Sequence, residues 1–278
     1  MATCGTQPNK FDLYDTHIRV AMLAYVSQDY KGALQSFQQA FKVIKDEDVS
    51  DYFYAAAAAL HLKKSNLAKK LIETAIIETK ASQDYFNRFK EFNSFRSDPL
   101  FNDINERYPD LIQKFFQNLP NPGIYKEVDS LVALDQQARS GGLPWGEIET
   151  VDSVNIYRLM EITKKYGWQD RAWLILWHQR GSYGESNVVW NHFKPLIDQG
   201  IEEEKIRKSF WAIFEDEKAI SEHGYQIYGM YQNQFPIKDI ESVDARRTEI
   251  GLLPLWYLNQ VYGQALPDGY VTKDQDNR

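Results

Sequence analysis

The sequence predicts a mainly α-helical chain of two parts, and three observations carry that expectation. Apolar residues recur at helical spacing through most of the 278 positions. Two successive helical pairs repeat in register, with Ala33 opposite Ala68 and Ala40 opposite Ala75, both at an offset of 35 residues. A turn-forming run, Asn118-Leu119-Pro120-Asn121-Pro122-Gly123, then separates residues 1–117 from residues 124–278.

The first pair spans Thr16 to Ile44 and is broken at Ser27-Gln28-Asp29-Tyr30. Its second helix carries Ala33, Phe37, Ala40 and Phe41 on one face. The second pair runs from Asp51 to Thr79, with Tyr52-Phe53-Tyr54 and an alanine run in one helix and Ala68, Leu71, Ile72 and Ala75 lining the next. Small residues at matching positions let paired helices approach closely, while Phe37 and Ile72 fill the adjoining grooves.

Over roughly residues 17 to 79 this pattern resembles the tetratricopeptide repeat family, whose period is about 34 residues. Asp29-Tyr30-Lys31-Gly32-Ala33 matches the family's turn, Lys64-Ser65-Asn66-Leu67-Ala68 matches it more loosely, and the family's late proline is missing from both pairs. The resemblance implies a peptide or protein partner. Two repeats need a neighbour to cover their ends, so the Phe-rich stretch from Tyr85 to Phe116 is expected to cap them, its rings packing a core.

Beyond the break, Ser140-Gly141-Gly142-Leu143-Pro144-Trp145-Gly146 is a second interruption. Val151–Tyr166, Arg171–Gln179 and Ile201–Phe214 read as helices. From His223 to Gln234, alternation of Tyr225, Ile227, Gly229 and Tyr231 with polar or larger neighbours predicts a strand or small β-hairpin. The second part is thus a mostly helical domain with a small β-hairpin.

Asp135-Gln136-x-x-Arg139, Asn155, Tyr166-Gly167-Trp168, His178, Asp216, Gly224-x-Gln226-x-Tyr228-Gly229 and Asp244-x-Arg246-Arg247 form a string of polar positions. Over residues 128–262 that string resembles an uncharacterised bacterial domain family with no assigned activity. Two departures stand out. Glu217 follows Asp216 where the family has Asp-Arg, and Met230-Tyr231 follows Tyr228-Gly229 where it has Tyr-Gly-Thr-Gln.

Physical reading of these positions leaves alternatives open. His178 follows the apolar run Trp173–Trp177, so its ring needs a polar partner, either as a general base in an aromatic pocket or as a bonded core histidine. Asp216 lies in an acidic run that reads as a solvated face or, beside Gln226 and Tyr228, as part of a pocket. Arg246 and Arg247 stand about 100° apart on a helix, which turns Arg247 inward toward Asp135, Asp216 or a ligand anion. Arg139 is placed to bind a ligand or to pair with Asp135 one turn earlier. His178 and Asp216 are therefore the catalytic candidates, and Arg139, Gln226, Tyr228 and Arg247 the ligand-binding ones.

The class of function is narrowed by charge and by missing motifs. A net charge of −7 disfavours nucleic acid as a partner. Phosphate-loop, zinc-helix, paired-cysteine and nucleophile-elbow motifs are absent, so neither a metal nor a cofactor is expected. No window has the roughly 20 apolar residues of a membrane span. Cys4 reads as an ordinary N-terminal residue of a bacterial cytoplasmic chain or, after loss of a leader, as the lipid-bearing cysteine of a periplasmic one. Two functions fit: a binding protein with a peptide or protein partner at its repeats, or an enzyme using His178 on a small anionic or amide-containing molecule.

Overall fold

A computed structural model describes residues 9–272, and Cys4 with its lipid-anchor reading lies outside them. The protein is mainly α. Its chain parts between Pro120 and Asn121 into two compact units. Among the described residues, no helix is long and apolar enough to cross a membrane.

In the first unit, α1 (Lys10–Val26) packs on α2 (Tyr30–Val43), α3 (Val49–His61) packs on α4 (Ser65–Thr79), and α2 lies against α3. The short α5 (Gln83–Arg88) and the long α6 (Pro99–Asn118) follow, with α6 against α4. Local chemistry sets the helix starts. Asn9, Asp29, Asp48, Ser82 and Asp98 each accept a backbone amide from the first turn of the helix they precede, satisfying a donor the helix leaves open. Gly32 stands beside one of these caps, where a Cβ would lie 2.2 Å from Oδ2 of Asp29 and would displace the capping side chain.

Five consecutive alanines, Ala55 to Ala59, have no solvent exposure, so α3 is enclosed on every side and its small side chains set the spacing of its neighbours. Ala33, Ala40, Ala68 and Ala75 are likewise fully buried. Phe53 of α3 meets the rings of Tyr85, Phe86, Phe89 and Phe92, with centroids 5.3–6.1 Å away. Arg96 closes this aromatic layer. Its guanidinium lies 4.9 Å over Phe101, and it donates to the carbonyls of Phe86, Asn87 and Phe89 at 3.1, 2.8 and 3.2 Å.

The second unit contains α7 (Pro122–Ser140), α8 (Trp145–Tyr166), α9 (Trp173–Trp177), α10 (Val188–Glu202) and α11 (Ala212–His223). Val128, Leu131, Ile156, Leu159, Leu176, Phe193, Ile197 and Phe214 belong to one buried apolar cluster. Phe214 is the hub of its aromatic side, with Trp177, Tyr183, Trp190 and Trp211 centred 5.2–5.8 Å away. The short helices α12 (Val243–Glu249) and α13 (Leu255–Tyr262) complete the unit.

Two sequence expectations are corrected here. The helix expected over Ile201–Phe214 does not form as one element. Instead α10 ends at Glu202, Glu204 turns to φ 54°, and the chain re-enters helix through a 3₁₀ turn at Lys208–Trp211. Packing overrides the helix propensity of this acidic stretch: Ile206 folds back over Gly200, whose carbonyl accepts the amides of Lys205 and Ile206 at 2.8 and 3.0 Å.

The expected β-hairpin over His223–Gln234 is the second. Gln226 makes a single parallel bridge with Ile237, donating its amide to Pro236 at 2.8 Å and accepting that of Lys238 at 2.9 Å. Gly229 at φ 74° and a 3₁₀ turn at Gln232–Gln234 curl the run that alternation alone would have kept straight.

Candidate functional site

Two groups of polar side chains stand out in the second unit. The first centres on Asp135 of α7, which is fully buried. Its carboxylate accepts Nη1 of Arg139 at 2.9 Å and Nε2 of Gln136 at 2.7 Å, and His178 Nε2 lies 3.2 Å away. The imidazole nitrogen is close to the carboxylate but out of line for a hydrogen bond. Arg139 then places Nη2 2.8 Å from both carboxylate oxygens of Asp152 on α8. Burial pushes the Asp135 carboxyl upward, but His178, Gln136 and Arg139 together outweigh it and hold the group below the usual carboxylate range.

The second group builds the stretch from Gly224 to Thr272, in which α12 and α13 are set between irregular segments. Asp216, on α11 and fully buried, accepts the backbone amides of Ile227, Tyr228 and Met230 at 2.6, 2.8 and 2.8 Å. Gln226, also fully buried, donates to the carbonyls of Gln232 and Phe235 at 3.0 and 2.8 Å and accepts the amide of Tyr231 at 2.6 Å. Arg247 of α12 donates to the carbonyls of Leu253 and Tyr228, both at 2.6 Å. Its neighbour Arg246 reaches the carbonyls of Ile227 at 3.0 Å and Asp239 at 3.3 Å, as well as that of Lys238. Asp244 accepts the amide of Leu255 at 2.6 Å and the hydroxyl of Tyr270.

These bonds explain the electrostatics. Burial raises the Asp216 carboxyl above its ordinary value, against the opposing pull of three amides and Arg247. Burial also lowers Arg247, with Asp244 and Asp216 pulling the other way. Tyr228 is pushed up to about 12 by burial and by Glu215. Hydrogen bonds to ionised groups are worth about 1.5–3 kcal/mol each, so the network is a strong constraint on the loop's shape.

The six candidate residues therefore divide. Asp216, Gln226, Tyr228 and Arg247 are joined in the loop frame, whereas His178 and Arg139 meet at Asp135. Tyr270 was missed altogether, while Asp244 and Arg246 stood in the polar string without being chosen as candidates; Arg246 was the more legible of the two, since a second arginine beside an inward one also has a long reach.

Two clefts adjoin the second group, and a third lies apart from both groups. One of about 500 Å³ is lined by Glu241, Asp244, Glu249, Pro254, Trp256 and Tyr270. Another of about 390 Å³ has both charge signs on its walls, with Glu215, Lys218, His223, Tyr225, Lys238 and Arg246. The third, of about 340 Å³, lies by Trp168 and Gly200. Histidines do not gather at any of them: His178 faces Asp135, His192 shares a 2.9 Å hydrogen bond with Thr163, and His223 stacks beside Tyr225. Among the described residues, no group of side chains is arranged to hold a metal.

Comparison with family models, with curated proteins and with solved structures returned no match.

Proposed function

We propose that the protein is a two-part binding protein. Its N-terminal pairs of helices act as tetratricopeptide-like hairpins for a peptide or protein partner or brace the second part. The C-terminal part, akin to the uncharacterised bacterial family, presents residues 224–272 as a shaped recognition loop. The observation that carries this reading is that Asp216, Gln226, Arg246 and Arg247 all bond to the loop's main chain. Irregular backbone held this tightly beside two clefts is how folds commonly display binding side chains.

The test is amide NMR mapping of the full chain against panels of peptides and small molecules. Shifts confined to residues 224–272, or to the N-terminal helices for peptides, support the reading. Absence of any saturable shift in either region sinks it.

A second reading rests on a different observation, the approach of His178 to the buried Asp135 at 3.2 Å. A buried carboxylate this near an imidazole can position the ring, as a general base acting on a small anionic or amide-containing substrate requires. Turnover lost in His178→Gln, with the fold unchanged by circular dichroism, would favour that enzyme.

A further inference from the structure

We propose that the cleft of about 340 Å³ between the turn after α8 and the end of α10 is a site for a neutral sugar. It lies outside the stretch from Gly224 to Thr272, so this inference stands apart from the recognition-loop reading. The observation that carries it is the indole of Trp168. Trp168 lines the cleft, and its Nε1–H is shielded from water with no hydrogen-bond partner among the described residues. A buried donor left unpaired costs about 1–3 kcal/mol, so a ligand that supplies an acceptor gains that bond without displacing one already made.

The turn that carries this indole is held in shape. Gly167 caps α8 at φ 78° and ψ −177°, a conformation essentially confined to glycine, and open space lies where a Cβ would stand. Gln169 Nε2 donates to the carbonyls of Gly167 and Trp168, both at 3.1 Å. Because the N–H is shielded, a ligand reaches it only as the walls shift, and the wall from α10 is the pliant one, since Gln199, Glu203 and Lys205 are all exposed.

The walls decide the ligand class. An indole N–H donates and never accepts, which excludes a metal ion or an ammonium as its partner. Lys205 is already paired with Glu203 at 2.6 Å, and Asp170 adds a second carboxylate, so an anion meets net negative charge. What remains is a neutral group carrying acceptors. Hydroxyls accept from Trp168 and donate to the carboxylates of Glu203 and Asp170 or to the side-chain carbonyl of Gln199. Tyr166, Leu196 and Ile206 add apolar surface for the C–H face of a pyranose ring. An amide would offer one acceptor and one donor, whereas hydroxyls around a sugar ring reach both walls at once. At about 340 Å³ the cleft stands at the small end of ligand sites, in keeping with a single ring.

The test reads the indole directly. Proton–nitrogen correlation spectra of the full chain are recorded with D-glucose, D-galactose and N-acetyl-D-glucosamine, each up to about 50 mM, which reaches millimolar affinities. Trp168→Phe identifies the Trp168 indole signal by its loss. The expected result is a saturable downfield shift of that signal with at least one sugar, the other six of the seven tryptophan indoles moving less. Affinity for that sugar, followed at the Gly167 amide, is expected to fall about fivefold in Trp168→Phe, which loses one hydrogen bond and keeps an aromatic ring. It is expected to fall about threefold in Gln199→Ala, at an exposed position. Absence of any shift with all three sugars overturns the proposal, as does an equal shift with glycerol, saturation by N-methylacetamide alone, or binding that both variants leave unchanged. Should Trp168→Phe fail to fold, Gln199→Trp fills the cleft from its exposed rim and is expected to abolish the sugar-induced shifts; sugar binding that it leaves intact overturns the proposal.

Discussion

Asp216 and Arg247 hold the same residue: the carboxylate accepts the amide of Tyr228 at 2.8 Å, and the guanidinium donates to its carbonyl at 2.6 Å. One grip comes from α11 and the other from α12, so the backbone of Tyr228 is a joint between these two helices and the turn that carries it. Asp216→Asn would replace one acceptor oxygen by an amide that donates toward other donors. The expected cost is about 2–4 kcal/mol in urea unfolding, with faster hydrogen exchange of the Ile227, Tyr228 and Met230 amides.

The two buried carboxyls respond oppositely to pH. Asp135 sits below its ordinary value when folded, so its stabilising contribution is present above the unfolded value near 4 and is lost as pH falls through the folded one. Asp216 sits above its ordinary value, so its linked contribution is present below the unfolded value and is lost as pH rises through the folded one. Asp135→Asn should therefore flatten the acid limb of the stability profile, whereas Asp216→Asn should remove a contribution that declines with rising pH in the mildly acidic range. Urea midpoints measured between pH 3 and pH 7 read both slopes.

At Gly200, alanine would bring its Cβ to 2.6 Å from Cδ1 of Ile206. Gly200→Ala is expected to destabilise by about 1–3 kcal/mol despite its better helix propensity. Adding Ile206→Val removes the struck methyl and should recover part of that loss in a thermal-melt double-mutant cycle.

Gly32→Ala offers a contrast. Glycine inside a helix usually gains up to about 1 kcal/mol on becoming alanine, but Gly32 stands in the first turn of α2, where the new methyl would displace the Asp29 cap, worth about the same. Chemical denaturation should show a change within about 0.5 kcal/mol of zero. A full propensity gain would mean that the cap is dispensable.

Much of the helical character was legible because periodic apolar residues are local features. The first helix nevertheless starts at Lys10 behind its Asn9 cap, six residues ahead of the expected Thr16. The Asp135–Arg139 pair was legible for the same reason, being one helical turn long. The break after Glu202 was hidden, since Glu203-Glu204-Lys205 contains good helix formers and the deciding contact, Ile206 on Gly200, belongs to packing. The frame around Asp216 was harder still. Its acidic neighbours imitate a solvated helix face, and its partners are backbone amides 11 to 14 positions away, which carry no signature in side-chain identity. The cleft residues Trp256 and Tyr270 lie 14 positions apart across α13 and a loop, so no periodicity links them.

The grips on the loop fall on main-chain atoms that every residue except proline supplies in full. Ile227, Tyr228, Met230 and Lys238 are thus held without regard to their side chains, apart from the glycine kink between them, whereas Asp239 also sits at a left-handed φ of 40°. Substitutions at their side chains can change the surface the loop presents while the curve of the chain persists. The anchors are fixed and the displayed chemistry is free to diversify, a division of labour that lets selection retune a surface without refolding the domain.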